Sequence, residues 1–142
     1  MSVRVTLIVA SLVLLGFAPA PLPRNQRQRE GPIDLTGTWA FTRIYLNGVL
    51  EQKDISHFRI EMTKDRIIFD TESHSEWTLR LDPTASPPAF SWGHGDHVIY
   101  AGSYQMRNGE LTMIYHVTSR MESRATNFDK APYKYVFRRV SR

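Results

Sequence analysis

Cysteine is missing from all 142 residues. Its absence excludes every disulfide, a thiol nucleophile and a lipid-modified cysteine anchor. The helical apolar period is missing too, over any stretch of roughly ten residues or more, which leaves an all-β reading. There is no Gly-x-Ser-x-Gly elbow and no phosphate-binding loop. Carboxylates are scattered over turns and outward strand positions, so no glycosidase pair stands out. No acid, base and nucleophile can be assembled, and the chain does not read as an enzyme. Nor does the domain carry charge of one sign. From Gly31 onward fourteen Lys/Arg face thirteen Asp/Glu, a net of +1 against +4 for the whole chain. The basic excess therefore belongs to the N-terminal tail. A nucleic-acid partner, which needs a basic face on the folded part, is not expected.

The first twenty residues explain part of that excess. Arg4 precedes an apolar run from Val5 to Phe17, and Ala18-Pro19-Ala20 supplies small residues for cleavage. The run is shorter than the ~20 residues of a membrane span, so residues 1–20 read as a signal peptide rather than a retained anchor. The mature chain is not expected to span a membrane. Export without disulfides suits a bacterial envelope, so the expected location is extracytoplasmic, periplasmic or secreted. Residues 21–32 hold three prolines and three arginines without an apolar period. That composition makes a disordered linker whose Arg24, Arg27 and Arg29 form a solvated tether. Residues 33–142 are long enough for one domain with one core.

Within that domain the period is two. Gly37 to Leu46 reads as a strand with Trp39, Phe41 and Tyr45 on one face and Ile44 and Leu46 on the other. His57 to Thr63, Arg66 to Asp70, Glu76 to Asp82 and Ala89 to Trp92 follow, with Lys64-Asp65 suited to a tight hairpin. Val98 to Met106 carries Tyr100, Gly102, Tyr104 and Met106 in phase. Asn108-Gly109 then predicts a type I′ turn into Glu110 to Val117. Tyr133 to Val140 closes the chain with Tyr133, Tyr135 and Phe137 on one face. Between Leu81 and Phe90, Asp82-Pro83 and Pro87-Pro88 predict an extended corner rather than a hairpin, because proline donates no ladder bond.

Eight strands joined mostly by short turns predict an antiparallel up-and-down barrel, which removes exposed edges and encloses packed side chains or one small ligand. The alternative is a two-sheet β-sandwich, whose pattern is similar.

Gly37-x-Trp39 at the head of the first strand sharpens this expectation. In closed barrels that hold small ligands, such a glycine bends the strand and the indole plugs one end. Leu35-Thr36-Gly37-Thr38-Trp39 comes first, followed by the stretches Leu81 to Phe90, Gly102 to Thr112 and Arg124 to Phe128. In that order, over Asp34 to Arg139, they resemble an uncharacterised lipocalin-like domain family abundant in planctomycete bacteria. The chain departs from that pattern at Ser103, where isoleucine is usual, and at Ala125, where proline is usual. The resemblance implies a lipocalin-like barrel with no established activity. It also implies that a late arginine covers Trp39. Phase assigns this to Arg139, with Arg138 taking its place if the strand slips by one.

Candidate site residues follow from the faces. His94-Gly95-Asp96-His97 is the one histidine cluster, and two imidazoles with a carboxylate could ligate a metal. Its flanking glycines make it a polar loop, so neither metal nor cofactor is expected. His57, His74 and His116 fall at strand ends or turns. The inward Tyr100, Tyr104, Tyr115 and Tyr135 offer apolar faces with hydroxyl handles. Arg43, in phase with Trp39 and Phe41, would meet an acidic head group, or it reaches solvent if the strand twists. The same aromatic stripe suits a filled core as well as a cavity. Two functions therefore stand open: binding of a small apolar or amphipathic ligand inside the barrel, or docking of another envelope protein on a filled one.

Overall fold

A computed structural model describes residues 32–141. The expected signal peptide and all but the end of the expected linker lie outside the described residues. From Gly37 onward, alternating apolar and polar positions become nine antiparallel strands. They are β1 (Gly37–Leu46), β2 (Val49–Leu50), β3 (Arg59–Met62), β4 (Arg66–Asp70) and β5 (Ser75–Asp82), then β6 (Ala89–His94), β7 (His97–Arg107), β8 (Glu110–Val117) and β9 (Tyr133–Ser141). The strands β1, β4 and β8 have the bounds that period two predicts. The two-residue β2 was not foreseen.

Each strand pairs with its neighbour in the chain apart from β2, which flanks β1, and β9 returns to pair with β1. That last pairing closes eight strands into a barrel and sets aside the sandwich. Asn47 and Asn108 have φ of 52°, and the glycines after them also have positive φ. Both hairpins therefore turn through the type I′ geometry that Asn-Gly favours. The lipocalin-like barrel is the fold.

The core fills the end of the barrel that holds Trp39. Trp39, Ile60, Met62, Ile67, Phe90, Leu111 and Phe137 are almost wholly buried. Burial at roughly 25 cal/mol per Å2 makes this face the main stabilising element of the fold. The opposite wall is covered as well. The segment 118–132, with one 3-10 turn at Met121–Ser123, lies over the outside of β7. It covers Ala101 and Ser103, which are buried although they point away from the core. Ser103 Oγ donates to the Ala125 carbonyl at 2.7 Å. Ser103 and Ala125 are thus in direct contact.

Two local expectations are corrected. First, Leu81 to Phe90 is a hairpin, not an unpaired corner: β5 and β6 pair up to Asp82 and Ala89. The prolines do leave the ladder, but the Asp82 carboxylate accepts from the amides of Thr84 and Ala85 and curls the chain back. Second, the face of β1 reverses midway. The register against β9 slips between Phe41 and Arg43. A bulge of this kind inserts one residue and flips every later side chain. Beyond it, Ile44 packs against the core, while Arg43 and Tyr45 lie outside.

Candidate functional site

The two ends of the barrel differ. At one end Gly37 takes φ of 118°, a value open to glycine, and starts β1. Trp39, two residues on, is fully buried, and its indole N–H donates to the Leu35 carbonyl at 2.9 Å. Arg139 lies opposite Trp39 in the register, with its guanidinium carbon 4.3 Å from the ring centroid. The same guanidinium donates to the carbonyls of Asp34 and Thr36. The entering chain, the plug and the last strand are thereby tied together, and this end is shut.

The other end opens. β1 pairs with β3 only from Gly37 to Ala40 and then turns to β2. Wall hydrogen bonding between β1 and β3 ends with the Phe41 amide on the Phe58 carbonyl at 3.3 Å. The gap becomes the mouth of a cavity of about 350 Å3, within the size range of small-molecule sites. Trp77, Trp92, Tyr100, Tyr115 and Tyr135 form its walls, and Phe41, Phe58 and Phe69 complete them. Ile44 is the single aliphatic lining residue, while Thr71, Ser73 and Ser75 bring hydroxyls to the rim.

The rings stand at steep angles: 86° for Tyr100–Tyr115, 76° for Tyr115–Tyr135 and 78° for Trp77–Tyr100. Edge-to-face pairs of this kind set the positive edge of one ring against the negative face of the next. Burial pushes the phenols of both Tyr115 and Tyr135 above their usual range. The interior is therefore uncharged at ordinary pH.

Charge is confined to the mouth. Lys53 Nζ meets Glu72 Oε1 at 2.7 Å, joining the loop after β2 to the loop between β4 and β5. The hydrogen bond and charge from Lys53 hold the Glu72 carboxyl below its usual range, with His57 adding to the effect. Both partners are solvent-exposed, so the pair is a weak latch. Lys53 Nζ also sits 5.6 Å from the Phe58 centroid. His94 stacks on Trp77 at 4.3 Å and His57 meets Phe58 at 4.4 Å. All five histidines lie in the strand ends and loops of this open end. Among the described residues, no three His, Cys, Asp or Glu are arranged to hold a metal ion.

Three of the candidate tyrosines, Tyr100, Tyr115 and Tyr135, converge on the cavity. Tyr104 does not; it is 1 % exposed and packed in the closed part of the core. Arg43 does not either, because the bulge carries it outside, where it pairs with Glu110. There it lines a smaller outer groove of about 220 Å3 with Tyr45 and Lys134. Trp92 is in phase with Phe90 and was legible as a wall residue. Lys53 and Glu72 stand in loops without a period, and no signal in the sequence marks them.

No family model, no curated protein and no solved structure matches the chain.

Proposed function

We propose that the protein binds a small molecule with an apolar body in the open-ended cavity of its barrel. The observation that carries this reading is the cavity itself: about 350 Å3, walled by eight aromatic side chains and closed beneath by a filled core. Aromatic surface left uncovered in the cavity costs free energy that an occupant would recover. Tyrosine hydroxyls inside and the serine and threonine hydroxyls at the rim supply orientation. The ionisable groups present are deeply buried phenols and an exposed ion pair, which favours binding over catalysis.

Titration with a panel of amphipathic probes, followed through the fluorescence of Trp77 and Trp92, tests the proposal. A Kd below about 100 μM, or ~5.5 kcal/mol, is expected for at least one probe. Uniformly weaker binding would sink it.

Kinship with the lipocalin-like domains of planctomycetes and export to the bacterial envelope belong to the same reading. They are supported by the Gly37-x-Trp39 plug and by the apolar run from Val5 to Phe17. Expressed in a bacterium, the mature protein should be periplasmic with its N-terminus near Pro21. A cytoplasmic product that keeps Met1 would refute the export.

A second reading has one observation behind it. Leu46, Val49, Leu50 and Val117, four of the five exposed large hydrophobic residues among the described ones, lie at the open end. Such a cluster suits docking to another protein. Val49→Ser combined with Leu50→Ser would abolish docking and leave probe affinity unchanged.

A further inference from the structure

From the chemistry of the cavity wall we infer that the ligand is an organic cation, an ammonium group carried on a small apolar body. The inference rests on the binding reading above and narrows it. An alkyl chain is matched by branched aliphatic side chains, yet only Ile44 among the fourteen lining residues is one. Eight are aromatic. Aromatic faces carry negative potential, and several faces meeting at steep angles attract a cation that has been stripped of water. Trp77, Trp92, Tyr100 and Tyr115 line the cavity side by side, with centroids 4.7 to 5.9 Å apart and three of their four mutual contacts edge to face.

The charges at the mouth agree. The one cation that lines the cavity, Lys53, is already engaged by Glu72. Arg43, which would have held an anionic head group, is outside the barrel. The loops around the mouth carry Glu51, Asp54, Asp70 and Glu72 against Lys53, while Asp96 is paired with Arg80 of β5. With Arg59 and the segment 118–132 counted, whose Arg120, Arg124 and Lys130 stand against Glu122 and Asp129, the balance at the mouth is slightly negative. It favours cations over anions weakly.

Three probes built on one phenethyl body separate the possibilities: phenethylammonium, 2-phenylethanol and 3-phenylpropanoate, titrated calorimetrically at low salt. The cation should bind about tenfold more tightly than the alcohol at pH 8. Glu72→Gln, which removes one carboxylate from the mouth, should weaken the cation more than it weakens the alcohol. If the alcohol binds as well as the cation, the cavity is a site but the cation inference is wrong. If 3-phenylpropanoate binds best, Lys53 receives an anion and the inference is reversed. If none of the three binds, the cavity reading fails and the inference falls with it.

Discussion

Replacing Arg139 by methionine keeps much of the side-chain volume and removes the guanidinium. Three interactions are lost together: the contact with Trp39 and the two hydrogen bonds to the carbonyls of Asp34 and Thr36. Against a ring buried as fully as Trp39, the cation–π part is worth about 1 kcal/mol. The carbonyls lie near the surface and regain water, so each hydrogen bond contributes at the lower end of its range, about 1 kcal/mol. The sum is roughly 2–3 kcal/mol. A domain of about 110 residues unfolds with an entropy near 0.23 kcal/mol per degree, so Tm should fall by about 10 °C. Arg139→Lys keeps the charge but loses the planar fork, and it should fall between the two. Differential scanning calorimetry on wild type and both variants measures this. A drop of less than about 2 °C for Arg139→Met would refute the argument that the arginine ties the closed end together.

Arg43→Gln should leave probe affinity within about twofold, because the side chain is outside the barrel. Tyr100→Ala, which strips one wall of the cavity, should cost about 1–2 kcal/mol of binding, and equal effects of the two would contradict the bulge. Gly102→Ala should lower Tm markedly, since a Cβ there would lie 1.7 Å from the Ile114 carbonyl oxygen. Forced repacking of this kind costs about 1–3 kcal/mol, and an unchanged melting curve would mean that β7 and β8 are further apart. Burial raises the phenols of Tyr104, Tyr115 and Tyr135. Their folded values exceed the unfolded value near ~10, so the stability they contribute is complete below that pH and is lost as pH rises through the folded values. Absorbance at the phenolate band should show these three of the six tyrosines ionising together with the loss of circular dichroism. Ionisation of all six before any unfolding would contradict their burial.

Much of the barrel was legible because period two is a local property. A strand that buries one face must alternate, and Trp77, Leu79 and Leu81 or Tyr133, Tyr135 and Phe137 show this without reference to any partner. Turn chemistry is equally local: Asn108-Gly109 names its own geometry. The proline-rich stretch after Leu81 misled for the opposite reason. Proline tells where pairing stops, but the return of the chain depends on the Asp82 carboxylate reaching the Thr84 and Ala85 amides.

By itself, then, the sequence determined the fold class, the number of strands in the barrel, the plug at Trp39 and the aromatic supply of the interior. These depend on neighbours along the chain or on a fixed alternation. Tertiary structure decided what is done with them. One extra residue between Phe41 and Arg43 turned an expected ligand handle outward and brought Ile44 in, which no alternation count could anticipate. The early parting of β1 from β3 left the wall open, so a stripe that suited a filled core became the wall of a cavity. Lys53 and Glu72 met across that opening from loops nineteen residues apart. Cavities and loop contacts arise from how strands close on one another, and a periodicity records only which way each side chain points.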